Sequence, residues 1–260
     1  MTRVLIVGEG KSGTTALLRS VSSALGEPSE IFEPMAMSAE DLEPDPLVVK
    51  KLLLNWKQAE TRLLDSFDKR ILIVRDPRDR LISHLLYDAY NRAQVVDEAG
   101  RQEWLGLLGQ KSATPDEVPF VRLVNTWWRL AGSDLLSHYV RANDRVNSYK
   151  RRMKKHFFVL TYEDYVDGRF EALNEYLGLN IEPGIVGHEE ARVARSGRYG
   201  EWRNWFTPED VEVFRPMTDQ WLHRHGYDHE DWELSSPAEI PTDTTVDYVA
   251  GLFDRRGLAS

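Results

Sequence analysis

The chain has 260 residues, 42% of them hydrophobic, enough to bury one sizeable α/β core without a second domain. It contains no cysteine, which excludes a disulfide framework, a thiol nucleophile and a cysteine-based zinc site. A net charge of −9 argues against nonspecific nucleic-acid binding, and no apolar run approaches the length of a membrane span.

The first element is the apolar run Val4-Leu5-Ile6-Val7, which stops at Gly8-Glu9-Gly10-Lys11-Ser12-Gly13. A helix-periodic segment is predicted to follow over Thr14 to Leu25. A strand, a glycine-rich turn holding a lysine, and a helix start together favour phosphate, because free backbone N–H groups and the helix dipole attract an anion. The nucleotide-triphosphate loop reads G-x-x-x-x-G-K-[ST], with lysine directly after the last glycine. Here Leu5 stands five before Gly10, and a further glycine, Gly13, follows Lys11-Ser12, so the loop departs from the ATPase spelling. A second strand is predicted to end at Ile31-Phe32, before Glu33-Pro34. Val48 to Leu54 reads as an interior strand; its Lys50 and Lys51 are either a cation aimed into a cleft or strand-edge lysines, the latter preferred.

Arg70 to Val74 is a buried strand of aliphatic residues that turns into a helix predicted over Leu81 to Gln94. Asp76 or Asp79 suits the N-cap and Pro77 the first helical position. Arg75 therefore stands at the strand's C-terminal end, where open α/β sheets place ligands, and its guanidinium fork matches phosphate geometry. Ser83 adds a hydroxyl from the following helix. A metal-binding aspartate of the ATPase type would end this strand, but Asp76 comes one place late and an N-cap role explains it.

Further on, Asp97 to Pro119 is polar and is expected to be a loop, a flap over an acceptor site. A helix is predicted from Val118 to Val140, with Trp127 and Trp128 in the core. Arg141 to Lys155 carries a run of basic residues against Asp144 alone; a solvated helix face is the first reading, and a rim steering an anionic acceptor the second. His156 to Leu160 reads as a late strand, leading into Thr161-Tyr162-Glu163-Asp164. Arg195-Ser196-Gly197-Arg198-Tyr199-Gly200-Glu201-Trp202-Arg203 is a loop, and Thr207-Pro208 starts a helix as N-cap and first residue. His188, His223, His225 and His229 have no metal-like partners at useful spacing. The expected organisation is a single domain over residues 1–260, with a Pro-, Ser- and Thr-rich tail at 233–260 that is partly ordered or wraps the core. Met1-Thr2-Arg3 leads straight into the first strand, so a reducing cytoplasm is the expected location.

Lys11-Ser12-Gly13-Thr14-Thr15 after a strand resembles the 5′-phosphosulfate loop of the sulfotransferases that use 3′-phosphoadenosine-5′-phosphosulfate (PAPS). Arg75 and Ser83, separated by seven residues, fall on that family's 3′-phosphate signature. The loop from Arg195 is similar to the family's Arg-Lys-Gly-x-x-Gly-Asp-Trp-Lys, with Ser196, Glu201 and Arg203 as departures. Its Gly-Arg-Tyr is also similar to the loop of carbohydrate sulfotransferases, and Tyr162-Glu163-Asp164 to a family turn that helps hold adenine.

The resemblance implies a three-layer α/β sandwich with a central parallel sheet and a P-loop-like phosphate-binding loop. It implies PAPS as donor, PAP as product, and no obligatory metal. Lys11, Ser12, Gly13, Thr14 and Thr15 would hold the 5′-phosphosulfate; Arg75, Ser83, Arg195, Ser196 and Gly197 the 3′-phosphate; and Tyr162 the adenine. Lys11 would also stabilise the departing oxygen. Family members use a histidine or, in many carbohydrate sulfotransferases, a glutamate after the second strand as base, which makes Glu33 the first candidate, with His84 and Asp88 behind it. The expected acceptor is a hydroxyl, less readily an amine, of a carbohydrate or small metabolite, in a bacterial type of enzyme with no nucleic-acid or membrane partner; a homodimer is allowed. The rivals are a P-loop small-molecule kinase using ATP and Mg²⁺, and a non-catalytic PAP-binding module.

Overall fold

The structure is a computed structural model that describes residues 2–153, 157–184 and 195–257. The parallel strands are β1 (Arg3–Gly8), β2 (Ser29–Phe32), β3 (Leu47–Leu52), β4 (Lys69–Val74) and β5 (Phe158–Thr161). The helices are α1 (Thr14–Leu25), α2 (Pro77–Arg92), α3 (Glu98–Ala113), α4 (Phe120–Ala131), α5 (Leu135–Met153), α6 (Tyr162–Val166), α7 (Glu171–Leu177), α8 (Trp202–Trp205), α9 (Pro208–His225) and α10 (Val246–Asp254). They fall into two compact units: residues 1–75 with 142–191, and residues 76–141 with 192–260.

The first unit holds a five-stranded sheet in the order β2-β3-β1-β4-β5. Every pairing is parallel. Successive residues of a strand face opposite sides. Leu5, Val7, Val49, Leu72 and Val74 accordingly share one apolar cluster, and Val4, Ile6, Val48, Ile71 and Ile73 another. Both faces are buried, so the strands read as near-continuous apolar runs. One face is covered by α1 and α7 through Leu17, Leu18, Val21, Leu173 and Leu177. The other is covered by short 3₁₀ turns and the second half of α5, through Leu42, Leu63, Leu64, Val146 and Tyr149. This is the expected α/β fold with a central parallel sheet and helices on its faces. The chain leaves β1 for one edge of the sheet and β4 for the other, so the C-terminal ends of β1 and β4 flank the reversal of strand order, where such sheets take ligands.

The ends of α1 are as predicted, because Gly13 and Gly26 sit in left-handed conformations on either side of it. The edge reading of Lys50 and Lys51 is overturned: β3 lies between β2 and β1, and both lysines are buried.

The second unit is helical among its described residues, around a core that includes Trp104, Trp127, Trp202, Trp205, Trp221 and Phe253. Here the expected flap at 97–119 is corrected. Asp97 caps α3 by accepting from the Gly100 N–H at 2.8 Å, and Trp104, Leu107 and Leu108 bury one side of it. The single helix expected over 118–140 is two. Gly132, left-handed at φ 62°, ends α4 by donating its N–H to the Trp128 carbonyl at 2.8 Å, and α5 starts at Leu135. Trp127 is in the core, whereas Trp128 is 59% exposed, against expectation. The tail is ordered in part, with Val249, Leu252 and Phe253 of α10 buried. Among the described residues no helix is long and apolar enough to cross a membrane.

Two buried charges organise this unit. Asp210 accepts from the N–H groups of Phe120 (2.7 Å) and Val121 (2.8 Å) at the start of α4, and from the N–H (2.8 Å) and hydroxyl (3.0 Å) of Thr207 at the start of α9. One carboxylate thus satisfies orphan donors of two helix N-termini, where a negative charge is favoured. Lys111 donates to the carbonyls of Pro115 (2.7 Å) and Val118 (2.6 Å). Burial pulls its ammonium down to about 8, against opposing pulls from Asp210 and Asp116.

Two outcomes follow. Asp210→Ala leaves buried N–H groups without acceptors and should lower unfolding stability by about 3 kcal/mol, read from the denaturant midpoint. Lys111 keeps its proton to higher pH in the unfolded chain than in the folded one, so its charge penalty is complete below pH 8 and relieved above it. Relative to Lys111→Met, the native protein should gain roughly 1 kcal/mol of stability per pH unit between about pH 8 and 10, measured by urea unfolding at several pH values.

Candidate active site

β1 ends where no side chain fits. A Cβ on Gly8 would lie 2.7 Å from Thr14 Cγ2, 2.8 Å from Ser12 Oγ and 2.9 Å from the Ile73 carbonyl oxygen. The turn that follows is closed by Ser12 Oγ, which donates to the Glu9 carbonyl at 2.6 Å. Lys11 is left-handed at φ 69°, an uncommon state for a residue with a side chain. Gly13, at φ 90°, precedes α1 and leaves its first turn without a side-chain cap. A Cβ on Gly10 would meet nothing within 4 Å, so the loop is open on that side. The uncapped N–H groups, the dipole and an open approach are what an anion needs.

Gly13 also lets the loop rest on the Tyr162 ring, since a Cβ there would come within 2.6 Å of Tyr162 Cδ2. Tyr162 is placed by Thr161, the last residue of β5, which caps α6 by accepting from the Asp164 N–H at 3.1 Å. The Arg75 guanidinium lies 4.3 Å from the centroid of the Tyr162 ring and donates from Nη1 to the Lys11 carbonyl at 3.2 Å. Cation–π contact and hydrogen bond together fix this buried arginine against the loop.

A second constellation joins the loop to the end of β2. Lys50 Nζ donates to Thr15 Oγ1 at 2.7 Å and to Glu33 Oε1 at 2.5 Å, and lies 4.0 Å from the Phe32 ring centroid. Glu33 is also left-handed, at φ 50°, and its N–H extends the ladder to the Lys50 carbonyl at 2.8 Å. Among the described residues, two of the three non-glycine residues with positive φ are the candidate cation Lys11 and the candidate base Glu33. Lys51 faces the other way, to Glu60 Oε1 at 2.9 Å and the Pro34 carbonyl at 3.0 Å, and holds the chain beyond β2.

In the helical unit, Asp76 is the N-cap of α2, accepting from the Arg78 N–H at 2.8 Å, and Ser83 is buried two turns on. Asp79 instead accepts from Gly200 N–H at 2.5 Å and Trp202 N–H at 2.9 Å, fixing the loop from Arg195. Within that loop Arg195 pairs with Glu201, and Ser196 Oγ donates to Glu201 Oε2 at 2.8 Å. Gly197 is left-handed at φ 65° with open space at its Cβ. The His84 and His138 rings lie 4.5 Å apart. Asp88 accepts from Trp127 Nε1 at 2.9 Å, which ties its carboxylate to the core. Among the described residues no cluster of His, Asp and Glu suited to a metal ion occurs. His188, Lys154 and Lys155 lie outside the described residues.

Sequence reading missed how Lys50 is placed, and it missed the ion pair of Glu9 with Arg145. The signal for Lys50 was two lysines inside an apolar run, which an edge strand would tolerate and an interior one would need to pair.

A family model described as "Sulfotransferase domain" matches residues 1–180 of the chain. Among solved structures, the chain is similar to mouse sulfotransferase SULT7A1 complexed with PAP, at 15% identity and a TM-score of 0.53, over 85% of this chain and 84% of that one. A sulfotransferase domain from the Synechococcus PCC 7002 olefin synthase aligns more loosely, at 13% identity and a TM-score of 0.32 over 99% of this chain and 94% of that one. Curated protein sequences give no match.

Gly13→Ala forces both a strained φ and a clash with Tyr162. It should cost about 1–3 kcal/mol of stability, and adding Tyr162→Ala should cost less than the sum of the two single changes, as read by chemical denaturation.

Proposed function

The chain belongs to the sulfotransferase family, and on that premise we propose that it moves a sulfuryl group from PAPS to a hydroxyl of a carbohydrate or small metabolite, or less readily an amine, releasing PAP. The observation that carries this is the convergence at the strands' C-terminal ends: the uncapped loop after β1, Glu33 after β2, Lys50 in β3, Arg75 after β4 and Tyr162 after β5. The similar mouse enzyme was solved with PAP, the nucleotide assigned here. The family match covers residues 1–180, which include parts of both units; a single sulfotransferase domain over 1–260 extends that match to the rest of the chain.

Bound PAPS would supply the sulfuryl group and a phosphate leaving group. On the protein side, Lys11 and the N–H groups of Ser12, Gly13, Thr14 and Thr15 receive the 5′ end and balance negative charge as it develops there. Lys50, held on Thr15, adds a second cation beside the loop. Glu33 takes the acceptor proton; its ion pair with Lys50 fixes the carboxylate near the start of α1, which sets it ahead of His84, whose ring packs on His138. Tyr162 receives the adenine. Arg75, Ser83, Arg195, Ser196 and Gly197 keep the 3′-phosphate assignment on their sequence signatures, and Arg195 and Ser196 would exchange Glu201 for phosphate to fill it.

Calorimetric titration tests the reading. PAP should bind without Mg²⁺ and more tightly than ATP; ATP binding that needs Mg²⁺, with no response to PAP, would overturn it. With PAPS and a panel of sugar acceptors, Lys11→Ala should lower turnover by about 100-fold or more while PAP affinity falls far less.

A further inference from the structure

Glu9 is an unexpected residue in a loop that receives phosphate. It stands between Gly8 and Gly10, directly before Lys11 and its neighbours, and its side chain is 3% exposed. A buried carboxylate repels an incoming polyanion more strongly than an exposed one would, because little water screens it. The same residue is also a hinge of the turn, since its carbonyl accepts both Ser12 Oγ at 2.6 Å and Ser12 N–H at 3.3 Å.

Arg145 meets this carboxylate in a bidentate pair, Nε to Oε1 at 2.7 Å and Nη2 to Oε2 at 3.0 Å. It projects from the part of α5 that packs on the sheet of the same unit, where Val146 and Tyr149 are buried. A planar fork on a carboxylate fixes orientation as well as charge, which a lysine would not do. The basic segment that composition alone left as a solvated face or an acceptor rim thus contains one member committed to the loop.

We propose that Arg145 is a positioning residue for the phosphate loop: it cancels the Glu9 charge and holds the Glu9–Ser12 turn, so that the loop accepts a polyanion. This rests on the phosphate-binding reading above. A purely structural clamp and a direct phosphate contact are the competing accounts, and both differ from it in one respect. If Arg145 matters because it neutralises Glu9, removing the Glu9 charge should make Arg145 dispensable.

Dissociation constants of PAP and, in parallel, of inorganic pyrophosphate would be measured by calorimetry for the native chain, Glu9→Gln, Arg145→Met and the double variant. Arg145→Met should weaken both ligands by about tenfold or more, and Glu9→Gln alone should tighten them. The double variant should return to within about threefold of the native constants, a coupling that the mutant cycle isolates. Arg145→Lys, which keeps charge without the fork, should fall between native and Arg145→Met, and with the double variant it carries the comparison if Arg145→Met does not fold. A double variant as weak as Arg145→Met, or an Arg145→Met chain that binds like the native one, would overturn the proposal. Native protein that binds pyrophosphate but not PAP would remove the nucleotide assignment and leave the charge argument to be decided on pyrophosphate; native protein that binds neither would overturn both.

Discussion

The backbone of β1 leaves the sheet at Gly8 so close to Thr14, Ser12 and the Ile73 carbonyl that a single added carbon would collide with all three. That approach lets the next five residues turn tightly enough to start α1 directly above the sheet's C-terminal edge. Gly13 completes the turn, and its missing side chain admits the Tyr162 ring, on which Arg75 rests. Lys11 pays for this geometry with a left-handed backbone, a strain that persists only because the surroundings dictate it. Most of what makes the loop of unit one suited to an anion follows from those two glycines.

Charge is then distributed locally and against the overall balance. A chain with net charge −9 gathers Lys11, Lys50, Arg75 and Arg145 around one loop, and spends Glu33 and Glu9 on the second and fourth of them. Pairing keeps these cations oriented and limits the cost of burying them. Lys51, the immediate neighbour of Lys50, points to the opposite face and pairs with Glu60, so strand alternation alone separates a site lysine from a structural one. The helical unit follows the same economy, with Asp210 closing two helix starts and Asp79 holding the loop that carries Arg195.

What could be read in the sequence was what is encoded locally. The phosphate loop, the limits of α1 and the Thr207-Pro208 helix start were legible because glycines, a cap and a proline mark them within a few residues. α3 was missed because Gly100, Gly106 and Gly109 dilute its apolar stripe, although Trp104, Leu107 and Leu108 keep helical spacing. α4 and α5 merged because their shared periodicity hid Gly132 as a stop. The place of Lys50 was illegible for a different reason: whether β3 is an edge or an interior strand is decided by a crossover, not by its own residues. Glu9 and Arg145 are 136 residues apart, and no local pattern announces such a pair.

The most direct test of the central claim is a crystal structure of the chain grown with PAP. The 5′-phosphate is expected to accept hydrogen bonds from the backbone N–H groups of residues 12–15 and from Lys11 Nζ, with the adenine on Tyr162. A nucleotide bound elsewhere on the molecule, with those loop N–H groups facing solvent, would contradict it.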